Sequence, residues 1–150
     1  MKKSPQTQKL EEVLRSSKLV AGGFLGRDNR DVSEIIDSDT AVVAELGTTP
    51  AEMAQRMQHI TDSAKTGLGC WVEIDEKHRA RTLESKGTLV CPWPHPGTYN
   101  KTVTTFELVK TGESIEWSDL NIHLIGEHGF FEGKGLTFRI EPKELARFIF

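Results

Sequence analysis

Cysteine is scarce in this chain, and it has no long apolar run and no block of one charge sign. The only cysteines in its 150 residues are Cys70 and Cys91. A chain of this length can bury a sufficient core without a disulfide, so we expect reduced thiols and a cytoplasmic location. No apolar run approaches the roughly 20 residues of a membrane span. In the N-terminal segment MKKSPQTQKL, the two lysines are followed by polar residues, whereas a signal peptide has an apolar region there.

The charge balance narrows the classes of partner. The net charge is −3, and residues of both signs are spread along the chain. Because a duplex-binding protein needs a concentrated positive face, nucleic acid is disfavoured. The composition is typical of a globular protein. No motif identifies a reaction, so whether the chain is an enzyme stays open, as does homo-oligomerisation.

The first part of the chain, to about residue 67, has helical periodicity. Ser4-Pro5 predicts one helix start, and Thr49-Pro50 predicts another for residues 50–65. A further helix is predicted from Val32 to about Leu46. As one continuous helix it would place Asp39 within its apolar arc, so we predict a break near Ser38-Asp39.

From about residue 70 the apolar period changes to two, which predicts strands. The predicted strands are CWVEID, HRARTLE, TLVC, TVTTFELV and LTFRI, with turns at KG, PGTYN and KTGE. A helix is predicted at about 118–128, and Pro142 begins a short C-terminal helix. The sequence thus predicts a single α+β domain, residues 1–150, in which N-terminal helices pack on a mostly antiparallel C-terminal sheet.

The segment HLIGEHGFFEGKG contains the first candidate site. On the predicted helix, His123 shares a polar face with Asp119 and Glu127. These residues form either a solvated face with local charge pairs or a functional pair, in which His123 and Glu127 act as metal ligands or as acid and base. His128 lies about 140° from His123 around the axis, so we predict that the two imidazoles do not share a metal ion.

The inward face of the same helix carries Asn121 and His128. His128 either bonds the last carbonyls of the helix or pairs with Asn121 across a ligand pocket. Gly129 is predicted to end the helix, and Phe130 and Phe131 to anchor the core. Glu132 follows on a glycine-rich turn, where functional groups often lie.

The segment CPWPHPG, residues 91–97, is called here the proline strap. Its prolines donate no hydrogen bonds, which predicts a stiff extended segment at a sheet edge, with Trp93 as an anchor. In an extended strap the Cα atoms of Cys91 and His95 lie about 12 Å apart. We therefore predict that at most one of them joins His123 or His128 as an additional metal ligand.

The leading hypothesis is a small-molecule site, metal-assisted, between the proline strap and the end of the 118–129 helix. A divalent metal is the cofactor considered. The candidates are His123 and Glu127 as catalytic or metal-binding residues, Cys91 or His95 as a further ligand, and Asn121, His128, Lys101, Arg139, Glu132 and Trp93 as binding residues. Lys101 and Arg139 are assigned to an acidic substrate. The alternative is a non-catalytic interaction or regulatory module using the helical hairpin at 40–65 and its Met53/Met57 face.

Overall fold

The computed structural model describes residues 4–17, 19 and 23–150, and within them the chain has an α+β fold. Its elements in chain order are α1 (Pro5–Arg15), α2 (Val32–Glu45), α3 (Pro50–Lys65), β1 (Val72–Glu73), β2 (His78–Leu89), β3 (Tyr99–Leu108), β4 (Ser114–Ser118), α4 (Asp119–His128) and α5 (Pro142–Ile149). No helix in this part of the chain combines the length and the apolar composition needed to cross a membrane.

The four strands form one antiparallel sheet in the order β1-β2-β3-β4. One sheet face packs against α3 and α4. At its centre Trp117 donates a hydrogen bond of 2.8 Å to Thr61, whose hydroxyl lies 2.7 Å from that of Thr104. All three side chains are buried, so the polar atoms at this helix–sheet contact satisfy one another. Because Trp117 lies in β4, which runs directly into α4, this contact also positions the start of α4.

The helix ends agree with the sequence. Thr49 accepts a hydrogen bond from the Glu52 amide at 3.1 Å, with Pro50 as the first residue of α3. Ser118 and Asn121 form a capping box at the start of α4. Gly129 ends α4 with φ 62°, a left-handed conformation that glycine adopts without steric cost. The two ends of α4, on which the candidate site depends, were therefore correctly predicted.

The predicted break in the second helix is wrong, because α2 runs without interruption from Val32 to Glu45. Asp39 is buried within it, and its carboxylate pairs with the guanidinium of Arg139, with Asp39 Oδ1 lying 2.9 Å from Arg139 Nη2. A residue 100 positions away thus compensates the burial of the charge. Helical periodicity could not reveal this partner.

The observed strands differ from the prediction in three respects. HRARTLE and the first two residues of TLVC belong to one strand, β2, which ends at Leu89, because the predicted KG turn is a register shift between Ser85 and Thr88, with Gly87 at φ 97°. LTFRI is not a strand; the amide of Arg139 instead bonds locally to the Leu136 carbonyl at 3.2 Å. The second strand that pairs with β3, besides β2, is β4, which ends at Ser118 immediately before α4. The sequence analysis did not predict this strand.

The Met53/Met57 face of α3 is not exposed on the surface of the protein. Both side chains are fully buried in the core between α3, the sheet and α5. The use of this face for contact with a partner is therefore wrong, whereas an interaction or regulatory module that uses the helical hairpin at 40–65 stays a prediction.

Candidate metal centre

The proline strap bends instead of running extended. It leaves β2 after Leu89, and the His95 amide bonds back to the Trp93 carbonyl at 2.9 Å, which reverses the chain around Pro94. The prediction that Cys91 and His95 lie too far apart to share an ion is therefore wrong. The short turn brings both side chains to the same side of the strap.

The bent strap meets the C-terminal end of α4, and four side chains converge there. We call them the Cys/His cluster: Cys91, His95, His123 and His128. Their potential ligand atoms all lie within 4.8 Å of one another. The Nε2 atom of His95 lies 3.1 Å from Nε2 of His123 and 3.4 Å from Nε2 of His128. The Cys91 Sγ atom lies 3.4 Å from Nε2 of His128.

These separations are those of a metal site. A tetrahedral zinc ion with bonds of about 2.0–2.3 Å separates its ligand atoms by roughly 3.3–3.6 Å. The cluster is already close to this spacing, and its members are buried or half-buried. The residues present therefore fit a metal ion, and the cluster can hold one.

The hydrogen bonds behind the cluster orient its nitrogen atoms. Nδ1 of His95 lies 3.0 Å from the Pro96 carbonyl, which can only accept, so Nδ1 donates there and the lone pair of the neutral ring is on Nε2. Nδ1 of His123 lies 3.0 Å from the Tyr99 hydroxyl. Such partners fix the ring orientation and tautomer of metal-binding histidines. They leave the Nε2 atoms directed toward the centre of the cluster.

The electrostatic environment favours uncharged ligands. Burial, together with the neighbouring imidazoles of His123 and His95, lowers the pKa of His128 to about 4. Burial and His95 also lower the pKa of His123, against the carboxylate of Glu127. Burial raises the pKa of the Cys91 thiol. Neutral imidazoles are ready to bind a cation, whereas the thiol must lose its proton when the ion binds.

The prediction that His123 and His128 cannot share an ion is wrong. Their ring centroids lie 5.1 Å apart, nearly perpendicular to each other. The angle around the helix axis fixes only the direction of each Cβ atom, and two further torsions place the ring. Since His128 is the last residue of α4, both rings can reach the strap beyond the end of the helix.

The other candidate residues lie in four different places. Trp93 stacks on His128, with ring centroids 4.2 Å apart. Glu127 is exposed, lies outside the Cys/His cluster and lines an open groove beside His123. Asn121, Glu132 and Lys101 line a different cavity. The guanidinium of Arg139 is engaged by Asp39 and Glu141, so it does not lie with Lys101 as one acid-binding pair.

Tyr99 is the residue of the site that sequence reasoning missed. It lies at the start of β3, and its hydroxyl is the partner of His123. Its segment, PGTYN, was interpreted only as a turn. The available signal was that this is the single tyrosine of the chain and that it closely follows the proline strap.

Compared with known proteins, the chain matches no family model, no curated protein and no solved structure. Function must therefore be argued from the geometry of its own residues.

Proposed function

We propose that this protein binds one divalent transition-metal ion, zinc in the first instance, through the Cys/His cluster. The observation that carries the proposal is the convergence of one sulfur and three imidazole nitrogens within 4.8 Å. Thiolate and imidazole ligands suit zinc and related transition metals, whereas magnesium and calcium prefer oxygen ligands. The lone pair on Nε2 of His95 also faces two other Nε2 atoms, an arrangement that a cation stabilises.

The ion would join two parts of the fold. Cys91 and His95 belong to the proline strap between β2 and β3, whereas His123 and His128 belong to α4. Four protein ligands complete a tetrahedral zinc shell, as in structural zinc sites. The ion would thus hold the strap against the end of α4, and the stacking of Trp93 on His128 would shield it from solvent.

Metal titration with a matched cysteine control tests this proposal. The purified protein is stripped with a chelator and titrated with Co²⁺, then with Zn²⁺. We expect one equivalent of Co²⁺ with a thiolate-to-cobalt charge-transfer band, displaced by Zn²⁺. Cys91→Ser should abolish that band, whereas Cys70→Ser should retain it because Cys70 is exposed and outside the cluster. No binding, or the same band in Cys91→Ser, would overturn the proposal.

A second candidate function is metal-assisted chemistry on a small molecule. It is favoured by one observation: His123 belongs to the Cys/His cluster and also lines an open groove of about 530 Å³. Glu127 lies on the same groove, where an exposed carboxylate could act on a molecule near the ion. Catalytic zinc keeps one coordination position for water or substrate, which would require exchange of a protein ligand such as His123.

Exogenous ligand binding distinguishes the two functions. Azide is added to the Co²⁺-loaded protein, and the visible ligand-field bands are followed. A saturable change would support an exchangeable position and metal-assisted chemistry. An unchanged spectrum would exclude that chemistry and leave the ion in a structural role.

A further inference from the structure

A second, partly open site is lined by residues other than those of the Cys/His cluster. It is a cavity of about 410 Å³ between the β2–β3 ends, α4 and residues 132–138, a volume within the range of small-molecule sites. Much of its wall is apolar: Phe24, Leu89, Val103, Leu120, Leu124 and Leu136. None of the four cluster residues lines it. The two sites are neighbours, since Cys91 packs in the same apolar cluster as the cavity-wall residues Leu120 and Leu124.

The polar part of this cavity contains a buried carboxylate with an incomplete set of partners. Glu132 is 6% exposed. Its Oε2 accepts a hydrogen bond of 2.8 Å from the Asn121 side chain, whereas Oε1 has no hydrogen-bond donor among the described residues and is not one of their fully buried unpartnered atoms. Arg139 donates to the Glu132 backbone carbonyl instead of its carboxylate. Because Oε1 keeps some accessible surface in a residue that lines the cavity, a donor group of a ligand in the cavity can reach it.

The backbone at Glu132 supports a binding role. Its φ is 67°, which is uncommon for a residue other than glycine. Such conformations persist only where the surrounding structure holds them, and they cluster at ligand-binding and active sites. Here the capping residue Asn121 holds the side chain, and Arg139 holds the backbone. The carboxylate is therefore fixed in position before any ligand arrives.

The charges around the cavity restrict the ligand further. Burial raises the pKa of Glu132 to about 7, so a cationic donor would stabilise the ionised carboxylate. Lys101 also lines the cavity, but it is exposed and its ammonium lies beside Gly87 at the rim. A second cationic group near that rim would be repelled. The cavity thus suits one cationic head and an apolar body.

We propose that this cavity binds a small apolar monoamine, whose ammonium group donates to Oε1 of Glu132 while its hydrocarbon part fills the apolar end. This goes beyond the proposed metal function and does not depend on it. A charge-assisted hydrogen bond to a desolvated carboxylate would provide the selectivity for the head group.

Three probes of equal length test the proposal: n-hexylamine, n-hexanol and hexanoate, each titrated calorimetrically into the full chain near neutral pH. We expect hexylamine to bind at least about tenfold more tightly than the other two. Glu132→Gln should bring hexylamine and hexanol to within about threefold of each other. Glu132→Asp keeps the charge but shortens its reach, so it should weaken hexylamine binding while preserving its preference over hexanoate.

A cavity-filling variant locates the bound probe. Val103 is half-buried and lines the cavity from β3, so Val103→Phe should abolish hexylamine binding without altering the fold seen by circular dichroism. Metal uptake is measured on the same samples, so that failure of the metal proposal is seen separately. Hexylamine binding that is absent, no tighter than that of hexanoate, or unchanged in both Val103→Phe and Glu132→Gln would overturn the inference.

Discussion

Single hydrogen bonds behind the imidazoles determine what the Cys/His cluster can do. The Pro96 carbonyl fixes the tautomer of His95, and the Tyr99 hydroxyl contacts the far nitrogen of His123. These contacts orient the two rings so that their Nε2 atoms lie 3.1 Å apart at the centre of the cluster. A histidine without such a partner can rotate or present a proton, and it then binds metal less tightly.

Tyr99→Phe tests this contribution with the loss of one oxygen atom. We expect zinc affinity to fall about tenfold, because outer partners of metal-binding histidines typically contribute 10–100-fold. Competition with a chromophoric chelator would measure the change. Lys101→Ala, on the same strand but outside the cluster, is the control. Equal affinity of Tyr99→Phe and the wild type would show that the hydroxyl does not orient His123.

Glu132 should make stability depend on pH. Burial raises its pKa to about 7 in the folded state, above its ordinary value of 4.5, so the folded state binds the proton more tightly. This contribution is fully present below about pH 4.5 and is lost as pH rises through about 7. Lys101, at the cavity rim, and Arg139, which holds the backbone of Glu132, are the charged groups near it.

Glu132→Gln should therefore gain stability over the wild type as pH increases from about 5 to about 8. Urea unfolding of both proteins across this range, without added amine, would measure the difference. A difference in the free energy of unfolding that stays constant over the range would contradict the assignment.

At the scale of elements, an ion pair between Asp39 and Arg139 links α2 to the segment before α5. Asp39 and Arg139 have side chains only 6% and 7% exposed, so neither charge is well solvated. An unpaired buried charge is strongly unfavourable, whereas the pair is tolerated. The pair thus fixes the 136–141 segment, which also carries part of the wall of the Glu132 cavity.

Asp39→Asn should lower the free energy of unfolding by about 2–3 kcal/mol, because Arg139 loses its buried anionic partner and keeps only Glu141. Chemical denaturation measures this loss. Glu113→Gln is the matched control, since it removes an exposed contact with Arg147 and should leave stability unchanged. Similar losses in both variants would contradict a special role for burial.

At the scale of the whole molecule, the Cys/His cluster lies between the β2–β3 connection and the end of α4, so an ion bound there would join them. An ion that binds only the folded chain stabilises it by about 4 kcal/mol at a free concentration 1,000 times the Kd. For a chain of this size, that corresponds to an increase in Tm of about 8 °C or more.

Zinc should therefore raise the Tm of the chelator-treated wild type by about this amount, and much less in His128→Ala. Differential scanning calorimetry at fixed free zinc would measure both. His59→Ala is the control, because His59 lies on α3 outside the cluster. If the wild type and His128→Ala responded equally, the stabilising ion would have to lie elsewhere.

The sequence by itself determined the features that arise from neighbouring residues. The helix ends at Thr49-Pro50, Ser118 and Gly129 follow from local capping, and the change from helical to alternating periodicity predicted the α+β class. The C-terminal end of α4 and the proline strap were also identified from local composition. Such features depend on contacts a few residues apart, which a single sequence displays directly.

Only the tertiary structure decided the features that depend on distant partners. Asp39 is accommodated by Arg139, β4 is defined by pairing with β3, and the bent strap brings Cys91 and His95 to the end of α4. A helical wheel separated His123 from His128 because it omits the side-chain torsions and the strap that both rings meet. The site forms because two segments that are distant in sequence come together in the fold. The periodicity of a single sequence does not predict such contacts or the side-chain torsions within them.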